Sequence, residues 1–124
     1  MKSKRIDKAM TLMSDAMRIN DKAIMIFSQG INPVSIVDMI WEAYSKVEHA
    51  IILLKLDLND EFGQRQESLE EDPFDIGGLL VKASDSLANA LNKISSDLHE
   101  ALMDARLARN SLKLALSHIE RGNF

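Results

Sequence analysis

The most regular apolar pattern in the chain lies between Leu87 and Ile119. There Leu87, Leu91, Ile94, Leu98, Ala101, Ala105, Ala108, Leu112, Ala115 and Ile119 recur at alternating steps of four and three without a slip. Only a helix packed along its length needs such a seam. After Gly78 no glycine or proline interrupts the chain until Gly122, so the spacing predicts one helix over about 76–121, roughly 65–70 Å long at the rise of an α-helix. Asp72-Pro73 or Asp75 caps its start. The alternative is a break at Ser95-Ser96-Asp97, where Asp97 and Glu100 can form a capping box and divide the segment into two helices. The unbroken helix is the expectation, because the seam keeps phase through the serines.

Two further helices precede it. Ile6, Met10, Met13, Met17, Ile24 and Phe27 form one stripe, with Asn20 in the same register, and Ala9, Leu12, Ala16, Ile19, Ala23 and Ile26 form a second beside it. This predicts a helix over about 4–28 whose broad apolar face touches two neighbours. Gly30 suits the left-handed position that ends a helix, Ile31 can fold back over the last turn, and Asn32-Pro33 supplies a cap followed by proline at the first helical position. The second helix, about 33–57, carries Ile36, Ile40, Ala43, Val47, Ala50 and Leu54 as its seam, widened by Val37, Tyr44, Ile51 and Leu58. Trp41 lies at the edge of that face. From about 58 to 73 the periodicity stops and acids dominate, which predicts a loop. The expected fold is therefore all-α: a single domain over 1–124, built as an antiparallel bundle of three helices with a long third one, or of four if the chain breaks near Ser95–Asp97.

Charge changes the picture more than composition does. The net charge of −4 conceals eight acids against one base, Arg65, between residues 57 and 75, a local balance of −7 that leaves +3 for everything else. A mildly basic body beside an acidic loop favours solubility and works against non-specific binding of polyanions. No cysteine is present, which excludes a disulfide framework, a thiolate metal site and a cysteine nucleophile. The basic N-terminus runs into an amphipathic segment instead of a continuous apolar one, so no signal peptide and no membrane span is expected, and a cytoplasmic protein is.

Two groups on the last helical segment stand out. Met103, Leu107 and Leu114 lie roughly opposite the alanines Ala105, Ala108 and Ala115, giving that segment a second apolar face. They are the candidate oligomer interface. Helices one and two are too short to flank a helix of that length on both sides, so a homodimer is expected, with a protein partner as the related possibility. Arg106, Arg109 and Lys113 share another side at i, i+3 and i+7 and are the weaker candidate, a polyanion contact. No aromatic residue interleaves them in sequence, and a pI near 5.3 argues against a dedicated nucleic-acid binder.

Catalytic chemistry finds no foothold. The residues three before His49, His99 and His118 are Lys46, Ser96 and Ala115, so the Glu-x-x-His pattern of carboxylate-bridged metal bundles is absent. There is no Gly-x-Ser-x-Gly and no phosphate-binding Gly-rich loop. Asp72 and Asp75 beside Gly77-Gly78 would repel an anion from that helix start. No catalytic residue, metal or cofactor is expected.

The run Trp41-Glu42-Ala43-Tyr44-Ser45-Lys46-Val47-Glu48-His49-Ala50-Ile51-Ile52-Leu53-Leu54-Lys55 resembles the Ala-Tyr…Glu-x-Ala…Leu-Lys helix of HEPN domains over about a quarter of the chain. The resemblance implies a small helical bundle that acts as a ribonuclease or as the partner of a nucleotidyltransferase. That family's Arg-x4–6-His motif is not matched from Arg109 or Arg121, so no site residue carries over. The expected role is a non-enzymatic, homo-oligomeric structural or protein-interaction module; the alternative is a HEPN-like accessory domain that binds nucleotide or RNA.

Overall fold

The seam does not form one helix. A computed structural model describes residues 3–58 and 75–122, and within them the chain forms α1 (Lys4–Ser28), α2 (Val37–Leu58), α3 (Ile76–Lys93) and α4 (Leu98–Glu120). The expected single helix over 76–121 turns back at residues 94–97, at the serine segment where the sequence allowed a break. Lys93 O accepts the N–H of both Ser96 and Asp97, at 3.0 and 2.7 Å, which closes α3. Asp97 then leaves the helical region (φ −147°, ψ 93°), and its Oδ1 accepts the Glu100 N–H at 3.1 Å. This is the forward half of the capping box. The seam stays in phase across the turn because each helix buries its own seam against the other. Periodicity alone cannot register that the direction has reversed.

A salt link holds the reversal. Lys93 Nζ lies 3.0 Å from Asp104 Oδ2 and 3.8 Å from a Glu100 oxygen, one turn into α4. Asp104 is buried, and a buried carboxylate is tolerated only with such a partner. The Asp104 hydrogen bond pushes the Lys93 ammonium above its ordinary value of 10.5, desolvation opposes it, and the charges of Asp104, Glu100 and Asp97 add to the rise.

The other boundaries follow from local chemistry. Ser3 caps α1 by accepting the Ile6 N–H at 3.1 Å. Gly30 takes φ 77° after Gln29 and Gly30 donate to Ile26 O and Phe27 O. Ile31 stays exposed and does not fold back over the turn. The second helix was expected to open as α-helix at Pro33. Instead Pro33–Ile36 is a 3-10 turn, with Asn32 Oδ1 accepting the Val34 N–H at 3.0 Å and Asn32 O the Ser35 N–H at 2.9 Å. The tighter turn uses the donors that an α-helix start leaves free. Asp75 caps α3, accepting the Gly78 N–H at 2.8 Å. The acidic stretch expected as a loop over about 58–73 lies outside the described residues, apart from Leu58, which ends α2.

The four helices form a ring in which α1 packs on α2 and α3, and α4 packs on α3 and α2, while the diagonal pairs scarcely touch. Asn20 and Phe27 of α1 lie beside Leu80 and Gly77 of α3, so those two helices run in opposite directions. Both α2 and α3 thus start at the α1–α2 turn and run parallel across the diagonal, and every neighbouring pair is antiparallel. The core holds Ile36, Ile40, Val47 and Leu54 of the second segment, Leu79, Leu80, Leu87 and Ile94 from the third, and Leu112 and Ile119 from α4. Ala101, Ala105, Ala108 and Ala115 fill the α4 seam, where their small side chains let helices approach closely.

Among the described residues four polar side chains are buried, Asn20, Ser86, Asp104 and Ser111, and Asn20 lies deepest. Asn20 is fully buried on α1, and its Nδ2 donates to Leu80 O at 2.7 Å and to Ser84 Oγ at 2.8 Å, while Ser84 Oγ donates to Asp21 Oδ1 at 2.6 Å. Asn20 Oδ1 is buried without a partner among the described residues. The amide therefore fixes the register of α1 on α3 while leaving one acceptor unsatisfied.

Asn20→Asp replaces the donor facing Leu80 O with an acceptor or a buried charge. It should lower unfolding stability by about 2–3 kcal/mol at neutral pH in chemical denaturation, whereas Asn20→Leu should cost less. At the turn, the raised Lys93 pKa means that the stability it contributes is complete below 10.5 and fades as pH rises through the folded value. Lys93→Gln should therefore trail the parent protein at neutral pH, and the gap should close in alkaline solution above that point.

Candidate interaction surface

The ring geometry decides which side chains of α4 meet protein and which meet water. Arg109 marks the flank toward α2: its NH1 lies 3.4 Å from Glu48 Oε1, and its Nε donates to Asn110 Oδ1 at 3.4 Å. The side toward α3 is marked by Asp104, which reaches Lys93. Met103, Leu107 and Leu114 fall on the outer surface beyond that α3 side, since steps of four and seven residues keep them on one helical face. Met103 is 49% and Leu107 44% exposed. Leu114 differs, being half-buried and packed against the core. The three candidates are thus two solvent-facing side chains and one shared with the intramolecular core. Breaking the helix also removes the length argument for a second subunit, because α4 has a neighbour on each side.

Arg106, Arg109 and Lys113 occupy the opposite flank. Arg109 is engaged by Glu48, Arg106 is half-buried, and Lys113 is exposed. The structure sets beside them what the sequence lacked. Tyr44, one turn before Glu48 on α2, has its phenol pushed up by burial and by the Glu48 carboxylate, with Arg109 pulling the other way. Trp41 meets Tyr44 edge to face, ring centroids 5.5 Å apart and planes at 85°. An aromatic pair on α2 therefore borders the basic row of α4, although more than 60 residues separate them in the chain.

A larger apolar set was missed by the sequence reading. Val34, Trp41, Ile52 and Leu56 are 56, 45, 54 and 55% exposed. Trp41, Ser45, Ile52 and Leu56 lie at steps of four, seven and four on the side of α2 away from its seam, and Val34 precedes them in the 3-10 turn. That spacing was legible in the sequence. It was obscured because Trp41 reads equally well as the edge of the core face and because Ile52 merges with Ile51 and Leu53. His49 and His99 are exposed and His118 is half-buried; among the described residues no three His, Asp or Glu side chains gather as a metal would require. No helix of the described residues is long and apolar enough to cross a membrane.

No protein-family model matches this chain, and neither a curated protein nor a solved structure matches it.

The difference between the α4 candidates is measurable. Leu107→Ala should leave stability within about 0.5 kcal/mol of the parent, as exposed substitutions do. Leu114→Ala removes methyl groups that touch the core and should cost about 1–2 kcal/mol in the same denaturation assay.

Proposed function

We propose that this protein is a non-enzymatic interaction module that works by self-association through the outer face of α4. The observation that carries the reading is the exposure of Met103 and Leu107, one turn apart, on a helix whose two intramolecular neighbours leave that face uncovered. With Leu114 the stripe is self-complementary. In a two-fold, antiparallel pairing of α4 with its copy, Met103 of one chain lies against Leu114 of the other, as an isologous interface requires. A second reading is a HEPN-like accessory domain that binds nucleotide or RNA. It is favoured by the Trp41–Tyr44 pair bordering Arg109, and opposed by the net charge of −4.

Sedimentation velocity at micromolar concentration tests the first reading. The parent chain should sediment as a dimer. Met103→Glu with Leu107→Glu should weaken association by at least roughly tenfold while leaving the helical circular dichroism and thermal transition unchanged. Both positions are exposed, so the monomer loses no core; Leu114 is unsuitable for this purpose because it is part of the core. A parent protein that remains monomeric at these concentrations refutes the proposal.

A further inference from the structure

The outer face of α4 carries more than an apolar patch. Met103, Leu107, Asn110, Leu114 and Ser117 recur at steps of four, three, four and three, the a and d spacing of a helix that pairs with another along its length. Arg106 and Lys113 stand immediately before Leu107 and Leu114, on the flank turned toward α2. Glu48 occupies Arg109 on that flank. Neither Arg106 nor Lys113 makes an ion pair among the described residues. Lys113 is exposed and Arg106 half-buried. Each chain therefore sets three cations and one carboxylate beside the stripe, a balance of +2.

We propose that pairing of α4 with a second copy creates a polyphosphate-binding site at the two-fold axis. The inference rests on reading α4 as a self-association face, and it names a ligand for that interface. In an antiparallel pair each flank of one helix borders the same flank of its copy, which sets bases against bases. With Met103 against Leu114 of the copy, Arg106 comes within two residues, about 3 Å along the axis, of the level of Lys113 of the copy. The two-fold repeats this contact, so two such Arg–Lys pairs lie about 10 Å apart on one side of the interface. Glu120, one heptad past Lys113, is level with His99 of the copy and stands outside the pairs. Like charges facing one another oppose association, and an anion that bridges them removes the opposition. A single phosphate reaches one pair. A linear chain of three phosphates has the reach and the charge to span both, and neither chain holds the complete site alone.

Sedimentation velocity of the full-length protein over a micromolar concentration series, with sodium tripolyphosphate as the probe, tests the site. Saturating tripolyphosphate should tighten self-association at least roughly tenfold, well beyond the effect of sodium chloride at matched ionic strength. Arg106→Gln with Lys113→Gln should tighten association in the absence of the anion and abolish the response, with the helical circular dichroism unchanged. Lys113→Gln alone, at an exposed position, should do both in part. Adenosine triphosphate separates the two sources of the ligand: an effect equal to that of tripolyphosphate assigns the site to the phosphate chain, and a larger one assigns it to a nucleotide. Equal strengthening by chloride or a response to single-stranded RNA alone overturns the inference. So does the absence of any response, the outcome expected if the acids of residues 57–75 neutralise these cations instead. A protein that dimerises equally with and without the anion refutes this inference and leaves the α4 face standing. One that stays monomeric in both refutes self-association through α4 and the site with it.

Discussion

Because Lys93 O takes the N–H groups of both Ser96 and Asp97, the chain reverses within four residues and folds the seam of α3 onto that of α4. The rest of the bundle depends on that reversal. An extended helix through this segment would carry Ala101 to Ile119 beyond the reach of α1 and α2, and the four seam alanines would have nothing to pack against. The cost of turning is the loss of several helical hydrogen bonds. It is offset by the Asp97 cap, by the Lys93–Asp104 pair, and above all by burial of Leu87, Ile94, Leu112 and Ile119 in one shared core.

Polar groups, not the apolar seams, determine which helices are neighbours and at what height. Leucine and alanine seams of similar width tolerate sliding by a turn at modest cost. The Asn20 amide does not, since a shift would strand its two donors away from Leu80 O and Ser84 Oγ. Lys93 with Asp104 does the same for α3 on α4, and Glu48 with Arg109, more weakly and nearer the solvent, for α2 on α4. Asn20 Oδ1 is buried with no donor among the described residues, so this specificity comes with an acceptor that packing alone does not satisfy.

Each helix gives its seam to the core, and some apolar side chains remain outward. On α4 that is the small Met103–Leu107 patch. On the α2–α4 side it is a longer apolar row beside a basic one, with Trp41 and Tyr44 at the border. These surfaces differ in chemistry: the α4 patch is apolar, whereas the α2–α4 side sets apolar and basic side chains next to one another. The run Trp41–Lys55 along α2 contributes residues both to the core and to this outer side.

The sequence by itself determined the helices: their apolar periodicity set which residues are buried, and Gly30 and Asp75 marked boundaries through hydrogen bonds that span only a few residues. It also contained the turn at Ser95–Asp97 as an alternative, yet the stronger signal, an unbroken heptad phase, pointed the other way. Phase records which face of a helix is apolar and is blind to whether that face meets another helix or the next segment of its own chain. Only the tertiary structure decided that reversal, the ring order of the helices, and the division of Leu114 from Met103 and Leu107. It alone brought Tyr44, with Trp41 against its ring, near Arg109, because proximity across more than 60 residues is a property of packing and leaves no local pattern to read.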